Sequence, residues 1–314
     1  FTWIKNRDAT DSHCLFDSTR GVTKVLHSDT AANEATDADT LKSWTSDGYT
    51  VGADVKVNTS SEKYISWNWL AGGGSGSSNT DGSINTTTTT VDADRGVSIS
   101  TYTGTGSAAT IGHGLGVAPR FIIVKDRGAT NDWAVYHAGL ATDPETDYIL
   151  LNGTAGSADD STYWNDTAPT TTLFSIGTNA DVNTNTNTYI AYAFADIDGF
   201  SRFGSFTGNG NTDGTYVTCG FRPSMLVRRR FDANPSGSWL VKDDVRNPFN
   251  DGSIEVLNWN QNSAENAQAE SSDGVDFHAN GFKLKATNNG SNGAGLKYIY
   301  MAWAANPLKY STAF

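Results

Sequence analysis

Cysteine is nearly absent from this chain of 314 residues, which contains only Cys14 and Cys219. The two stand at non-equivalent places and have no cysteine or histidine neighbour at metal-ligand spacing, so we expect no structural disulfide. The five histidines include no pair two or four residues apart. This spacing argues against a zinc or non-haem iron site, unless the histidines converge in the fold.

Basic residues are also scarce: 22 lysines and arginines stand against 34 acidic residues, for a net charge of −12. Nucleic-acid binding needs a basic face, so we expect no nucleic-acid partner. The run Arg228-Arg229-Arg230 is the exception, but strand alternation would put Arg229 opposite its neighbours. Solvated or acid-paired arginines are favoured there over a polyanion site. No stretch is long and apolar enough to span a membrane, and no signal peptide is present, so we expect no membrane insertion.

The usual catalytic motifs are missing as well. There is no phosphate-binding loop and no Gly-x-Ser-x-Gly sequence. The glycine-rich stretch 112–116 precedes a strand rather than a helix, so it predicts a turn, and His113 is interpreted as a loop residue. Glutamate is rare and no pair of acids carries a glycosidase signature, although two such carboxylates need only meet in the fold. We predict a protein that is not an enzyme, with no catalytic, cofactor-binding or metal-binding residues.

Strong helix formers are scarce, whereas Thr, Asn, Ser, Gly and Asp are abundant. Aromatic residues make up 11% of the chain and supply much of its apolar content. This composition suits many short strands joined by turns, because aromatic residues favour strands while Gly, Asn and Asp favour turns. We predict an all-β protein.

A long internal repeat organises the sequence. An apolar run ending in cation-x-Arg occurs three times, at Phe1–Arg7, Phe121–Arg127 and 225–230. In the last two copies it is preceded by a segment of the type aromatic-Thr-Gly-x-Gly, at 102–106 and 206–210. A fixed long period predicts an array of similar modules. The first copy has no such segment before it, and we expect that segment to lie upstream, in a longer polypeptide of which this chain is a piece.

The repeat predicts three β-modules, 1–71, 97–199 and 200–307, the first of which we interpret as truncated at its N terminus. A Gly/Ser/Thr-rich linker is predicted at 72–96 and a short tail at 308–314. We favour a free linker over the alternative that its threonine run is an extended segment packed on a neighbour. Because the apolar face of each strand needs a partner layer, each module is predicted to form an antiparallel, jelly-roll-like β-sandwich.

The repeated strand cations are Lys5, Arg7, Lys125, Arg127, Arg228 and Arg230. Two residues apart on a strand, the members of each pair would share one face. We favour ion pairing with acids across the strand over a repeated anion or sugar contact.

Two further features suggest ligand binding. Acidic loops at 36–39, 92–94 and 158–160 could hold Ca²⁺, but none matches an EF-hand, and solvated carboxylates are the simpler interpretation. Four aromatic residues stand near polar loops and are candidate glycan-stacking platforms: Trp44, Tyr163, Trp164 and Trp259. Aromatic residues of the core would look the same in sequence.

Three motifs together resemble a known family. They are the strand Phe-x-x-x-Lys-x-Arg, the segment Tyr-Thr-Gly-Thr-Gly followed by Gly-His-Gly-Leu-Gly-Val-Ala-Pro, and the closing Tyr-Ile-Ala-Tyr-Ala-Phe. They are similar to tandem modules in large virion proteins of tailed bacteriophages, many of them marine, which are tail-fibre or tail-associated structural proteins. The resemblance is strongest in 102–127 and weakest in the third module, where 214–223 lacks the Gly-His-Gly-Leu-Gly core. It implies a structural and recognition role and supplies no catalytic residue.

From this resemblance we expect a non-enzymatic, tail-fibre-like appendage protein on the virion, outside the cell. Such fibres usually assemble as trimers, so the expected partners are further copies of the chain, other virion proteins and a host-surface glycan, for which repetition supplies avidity. Two alternatives stay open. One is a carbohydrate-active enzyme or depolymerase, which requires a carboxylate pair in a cleft. The other is a capsid-decorating or cell-surface filament protein, which would bind neighbouring subunits but no glycan.

Overall fold

A computed structural model of the chain describes residues 1–232, 237–248, 250 and 253–304. Within these ranges the regular structure consists of 25 strands and four helices of a single turn each. The strand pairs are antiparallel. The prediction of an all-β protein with antiparallel sheets is therefore confirmed. A membrane-crossing helix is not found in the described part of the chain, since each of its helices is too short.

The strands fall into three segments, residues 1–71, 97–199 and 200–304. The first segment contains β1 (Thr2–Asn6), β2 (Cys14–Phe16), β3 (Lys24–Val25), β4 (Ala35–Thr36), β5 (Leu41–Trp44), β6 (Tyr49–Val51), α1 (Val55–Asn58) and β7 (Tyr64–Asn68). Strand β8 (Thr88–Asp92) follows between the first and second segments.

The second segment contains β9 (Val97–Thr103), β10 (Ala109–Gly112), β11 (Phe121–Asp126), β12 (Trp133–His137), β13 (Asp147–Leu150), β14 (Ala158–Asp159), α2 (Ser161–Trp164), β15 (Leu173–Ile176), α3 (Ala180–Asn183) and β16 (Thr188–Phe194). The third contains β17 (Ser201–Thr207), β18 (Tyr216–Thr218), β19 (Pro223–Arg230), β20 (Leu240–Asp243), β21 (Ser253–Asn258), β22 (Asn266–Ala269), α4 (Glu270–Asp273), β23 (Val275–His278), β24 (Gly281–Leu284) and β25 (Lys297–Ala304).

Each segment has one main sheet, and the orders are β2-β1-β7, β14-β13-β12-β11-β16-β9-β8 and β17-β25-β19-β20-β21-β22. The smaller sheets are β3-β4 and β5-β6 in the first segment, β10-β15 in the second and β18-β24-β23 in the third. The three central strands β1, β11 and β19 pair with the last strand of their own segment in the same register. Three tyrosines mark this register, Tyr64 opposite Asn6, Tyr189 opposite Asp126 and Tyr298 opposite Arg230.

The central strands of the main sheets are buried on both faces, which explains why β11 begins with a continuous apolar run. All six of its residues are buried. Phe121 and Ile123 pack in a hydrophobic cluster shared by the three segments, while Ile122 and Val124 pack in a local cluster with the β10-β15 sheet. Strand residues alternate between the two faces of a sheet, so consecutive apolar residues serve two different layers. The other segments have local clusters of the same kind.

The shared cluster joins the segments at their centre. Three rings from matching positions at the ends of β7, β16 and β25 contact one another, Trp69, Phe194 and Trp303. Their centroids are 5.4 Å, 6.0 Å and 6.3 Å apart. Aromatic rings bury more apolar area than other side chains, so this cluster contributes much of the free energy of folding. The segments therefore form one packed body rather than separate beads.

The predicted linker contains a packed strand. Strand β8 pairs with β9 over five residues and extends the main sheet of the second segment. Thr86, Thr89 and Thr90 are buried, and the Thr90 hydroxyl lies 2.7 Å from the Thr19 hydroxyl of the first segment. The favoured interpretation of a free linker is therefore wrong for the threonine run, which is an extended segment packed on its neighbours. The glycine- and serine-rich residues 73–78 are mostly exposed.

Candidate functional site

The polar residues that the sequence analysis identified lie mainly at junctions between segments. Arg127, just past β11, pairs with Glu34 of the first segment through two bonds, Nε to Oε2 at 2.9 Å and Nη2 to Oε1 at 3.0 Å. Arg7, just past β1, also binds a glutamate of another segment, with its Nε and Nη2 both donating to Oε2 of Glu265 in the third segment. In both cases the backbone N–H of the glutamate also donates to the carbonyl of the arginine. The partners are thus glutamates of another segment rather than aspartates across the strand.

The glutamate of the first junction also binds a second, fully buried arginine. Glu34 accepts a bond of 3.1 Å from Arg20, which pairs with Asp17 at 2.6 Å. Asp17 in turn accepts a bond of 2.8 Å from the Tyr192 hydroxyl of the second segment. Two arginines and two carboxylates are thereby balanced in the interior, which is the condition under which buried charge is tolerated.

The junction between the third and first segments repeats this network with the same residue types. Arg246 pairs with Asp243 at 2.7 Å and with Glu265 at 2.8 Å. Asp243 accepts a bond of 3.2 Å from the indole N–H of Trp67, which stands at the position of Tyr192. The sequence Asp-x-x-Arg at 17–20 and 243–246 is a signal for the local Asp–Arg pair of each network, but not for the glutamate that joins the segments.

The pKa values in the first junction follow from burial and charge together. Burial would raise the pKa of Asp17, but the Arg20 guanidinium and the bonds from Arg20 and Tyr192 outweigh it, so the pKa lies below its usual value. The pKa of Glu34 is lowered for the same reason, since Arg127 and Arg20 offset the cost of burial. Both carboxylates are therefore held in their charged form.

The third junction, between the second and third segments, has no such network in the described residues. Phe231 stands where the other junctions have Arg7 and Arg127, and the N–H of Ser157 donates to its carbonyl at 2.9 Å. His137 stands where they have Asp17 and Asp243. Its Nε2 donates to the Tyr300 carbonyl at 3.1 Å and its Nδ1 accepts from the Gly139 N–H at 3.0 Å, so the ring is neutral. Burial lowers the pKa of His137 to about 3.

A buried cation occupies one matching position on each central strand, Lys5, Lys125 and Arg229. Lys125 donates to the Asn131 carbonyl at 2.7 Å and to the Ala31 carbonyl of the first segment at 3.0 Å. Arg229 donates to two carbonyls of the second segment. Burial lowers the pKa of Lys125 to about 8 and that of Arg229 to about 9. Lys125 and Arg127 both face the first segment, as their spacing predicts.

The assignment of Arg228 and Arg230 to the repeated cation pair is wrong by one residue. The register of β19 puts Arg229 at the position of Lys5 and Lys125, and Arg228 at that of Ile4 and Val124. Arg228 is buried on the other face, where it donates to the Asp273 carbonyl at 2.6 Å and the Ser291 hydroxyl at 3.0 Å. Arg230 pairs locally with Asp232 at 2.7 Å.

Three of the four candidate glycan-stacking residues belong to the core. Tyr163, Trp164 and Trp259 are at most 5% exposed. Trp259 stacks on Trp3 at 4.2 Å between centroids, and Tyr163 stacks on Tyr148 at 3.7 Å. Since a sugar cannot reach these rings, the prediction is wrong for these three. The polar residues beside them in the sequence suggest exposed loops, but the rings pack in the hydrophobic clusters.

The fourth candidate, Trp44, lines a surface groove with a volume of about 630 Å³. Trp44 and Tyr49 are half-buried at the end of the β5-β6 hairpin, and their rings meet edge to face at 6.2 Å. The facing wall includes Trp69 and Leu70, of which Leu70 is 55% exposed. The Trp44 indole nitrogen is buried, so the accessible part of this ring is carbon. Such a groove can offer an apolar ring face to a ligand.

Metal-binding geometry is not found in the described residues, where no group of three or more His, Cys, Asp or Glu side chains converges. The acidic loops at 36–39, 92–94 and 158–160 accordingly do not bring three such side chains together. His113 lies buried in its loop, with Nδ1 accepting from the Leu115 N–H at 3.1 Å. Cys14 and Cys219 are buried, free thiols.

Comparisons with other proteins identify a family without an assigned activity. The model of the domain of unknown function DUF7483 matches residues 1–307. Comparison with curated proteins and with solved structures gave no match. Because the match extends over nearly the whole sequence, the chain belongs to the DUF7483 family of domains of unknown function.

Proposed function

We propose that the chain is a non-enzymatic structural protein of a virion, a tail-fibre-like appendage that lies outside the cell and binds a host-surface glycan. Its resemblance in sequence to modules of bacteriophage tail proteins supports this proposal. The observation that carries the proposal is that buried charged side chains bind groups of other segments of the chain. Arg7, Arg20, Arg127 and Arg246 bind acids that tie one segment to the next, and Lys125 binds backbone carbonyls. These groups serve cohesion between segments.

The proposal includes three related β-sandwich modules, one per segment. The matching registers of β1, β11 and β19 with β7, β16 and β25 support it, as do the local clusters between each main sheet and its smaller sheet. The proposed partners are other virion proteins and two further copies of the chain, since tail fibres of the family that the sequence resembles are usually trimers.

The groove beside Trp44 is the proposed glycan site. Its volume of about 630 Å³ lies within the range of ordinary small-ligand sites. The half-buried Trp44 and Tyr49 rings supply apolar surface, while Asp47, Ser46 and Asn68 supply hydrogen-bonding groups. Among the residues that the structure describes, the groove is lined by one acid and by no lysine or arginine. Together with the net charge of −12, this favours a neutral sugar over a sialic or uronic acid.

A glycan array tests the binding part of the proposal. The full chain is labelled and compared with Trp44→Ala and with Tyr216→Ala, which removes a ring 46% exposed outside the groove. We expect neutral glycans to bind the parent chain and Tyr216→Ala, and about a tenfold loss for Trp44→Ala. Equal binding by both variants would contradict the groove as the site. Cleavage of any bound glycan would contradict a non-enzymatic role.

Immunolabelling tests the structural part of the proposal. Antibodies to the chain, applied to virions in negative stain, are expected to label the tail, and labelling of the capsid would refute the tail assignment. Sedimentation of the purified chain is expected to show a species of three copies.

A further inference from the structure

The last strand of the first segment has a free edge where its counterparts are paired. Strand β16 lies between β11 and β9, and β25 lies between β19 and β17. The pairing of β16 with β9 and that of β25 with β17 each contain seven residue pairs. Strand β7 pairs with β1, and within the described part of the chain nothing pairs with its other side. We call β9 and β17 the covering strands.

Each covering strand contributes an aromatic ring that stacks on the tyrosine at the matching register position of the last strand. Tyr102 stacks on Tyr189 with centroids 5.2 Å apart, and Phe206 stacks on Tyr298 at 4.9 Å. Tyr64 holds the matching position on β7. Its hydroxyl accepts from the Thr59 N–H and donates to the Val55 carbonyl, both at 2.7 Å. Tyr189 and Tyr298 have the same two bonds. Tyr64 is thus oriented as they are, but within the described chain no ring stacks on it.

In the second and third segments an asparagine binds the turn that follows the covering strand, and the first segment has an asparagine at the same position. Asn183 accepts from the Thr105 N–H at 2.8 Å and donates to the Ser107 carbonyl at 2.7 Å. Asn292 binds the matching turn of the third segment at 3.1 Å and 3.0 Å. Both are fully buried. Asn58, at the same position, is exposed and retains only the bond to its own segment, at 2.8 Å to the Gly52 carbonyl.

The backbone of the first segment is shaped for the same contact. The Thr186 N–H donates to the Gly104 carbonyl at 2.9 Å, and the Gly104 N–H donates to the Asn187 carbonyl at 2.8 Å. Thr186 has a φ of 68°, and Ser61, its counterpart, has the same φ of 68°. A Cβ on Gly104 would lie 2.3 Å from the Thr184 carbonyl oxygen, and one on Gly208 would lie 2.4 Å from the matching oxygen. Only glycine therefore fits directly after the aromatic-Thr pair.

We propose that the free edge of β7 binds an extended polypeptide segment of the type aromatic-Thr-Gly-x-Gly, antiparallel to β7, with its aromatic ring on Tyr64 and its turn on Asn58. The occupant comes from outside residues 1–314. Strands β9 and β17 are held in their own sheets, and the tail 305–314 contains no glycine. Strand addition of this kind draws its affinity from backbone hydrogen bonds and its specificity from side-chain contacts. The inference does not rest on the proposed glycan site, since Trp44 takes no part in it, although Asn68 at the end of β7 borders both the free edge and the groove.

A synthetic peptide with the sequence of residues 97–107 tests the inference. We expect it to bind the full chain one to one and to slow hydrogen exchange of the β7 amides. A peptide with valine at the position of Gly104 is expected to bind about tenfold more weakly or not at all. The chain variant Asn58→Ala, whose folding is checked by thermal melting, is expected to bind the parent peptide more weakly. Equal binding by the glycine and valine peptides would overturn the proposal.

A form of the chain with the peptide fused to it tests the same contact even where the free peptide binds weakly. The same eleven residues are joined to Phe1 through a flexible Gly/Ser linker, which raises their local concentration to about the millimolar range. We expect a higher melting temperature than for a fusion with valine in place of that glycine. No difference between the two fusions would refute the inference. Dimers that protect β7 without peptide would refute it in favour of a second copy, and tighter peptide binding by a chain ending at residue 304 would refute it in favour of the tail.

Discussion

Replacing Glu34 by glutamine should weaken the junction between the first and second segments. The substitution keeps the size of the side chain and removes the charge that faces Arg127 and Arg20. Breaking a fully buried ion pair by removing one partner costs about 3 to 5 kcal/mol. Here the cost is smaller, because Arg20 keeps its bond to Asp17 and the Arg127 side chain is 21% exposed to water. We expect a loss of about 2 kcal/mol.

This loss converts to a shift in melting temperature through the entropy of unfolding. At about 2 cal/mol/K per residue, a chain of this length shifts by about 1.5 °C per kcal/mol, so Glu34→Gln should melt about 3 °C lower than the parent chain. The matched control is Glu145→Gln, which also removes one acid, but one that forms no ion pair in the described part of the chain. The control should melt within about 0.5 °C of the parent.

The assay is thermal unfolding of both variants, followed by circular dichroism in low salt and in 1 M NaCl. Salt screens exposed charges far more than buried ones, so the difference between the variants should persist in 1 M NaCl. A double-mutant cycle with Arg127→Met should give a coupling energy of about 1 to 2 kcal/mol. Equal melting temperatures for Glu34→Gln and Glu145→Gln would refute the view that this junction stabilises the fold.

Three further outcomes are expected. Phe194→Ala should lower the free energy of unfolding by about 3 to 5 kcal/mol and accelerate hydrogen exchange in all three segments, because the Phe194 ring contacts both Trp69 and Trp303. Faster exchange in one segment alone would contradict the shared core. A thiol reagent at pH 8 should not modify Cys14 or Cys219 until the chain is unfolded, because burial raises the pKa of both thiols, that of Cys219 to about 12. Stability should fall as the pH drops from about 6.5 towards 3, because in that range His137 takes up a proton only in the unfolded chain. His137→Asn should therefore reduce the dependence of the melting temperature on pH, and an unchanged dependence would contradict this role.

The sequence reveals the strands better than it reveals their contacts. The repeat located the central strands and the last strands, since each carries a recognisable apolar or alternating pattern. In β7 the alternation of the sequence matches the burial of the strand, with Trp67 and Trp69 buried and Asn68 exposed. In β19 the alternation is lost because both faces are buried, and three consecutive arginines fit the repeated cation at more than one register. The one-residue error at Arg228 and Arg230 has this cause.

The junctions could not be predicted from the repeat alone. Glu34 lies 93 residues from Arg127, and no local pattern connects them. The pairing depends on how the segments pack against one another, which the sequence of one segment does not specify. The burial of Tyr163, Trp164 and Trp259 could not be predicted either, because whether a ring beside polar residues is buried depends on the tertiary fold.

The closure of the chain on itself has a consequence for its synthesis. Arg7 finds Glu265 across 258 residues, and Trp3 stacks on Trp259. During synthesis β1 therefore lacks these contacts until residues 259–265 have left the ribosome. Contacts between such distant residues form slowly, and exposed aromatic strands aggregate in the meantime. Products of premature termination before the third segment should accumulate in inclusion bodies, and assembly in the cell should depend on chaperones.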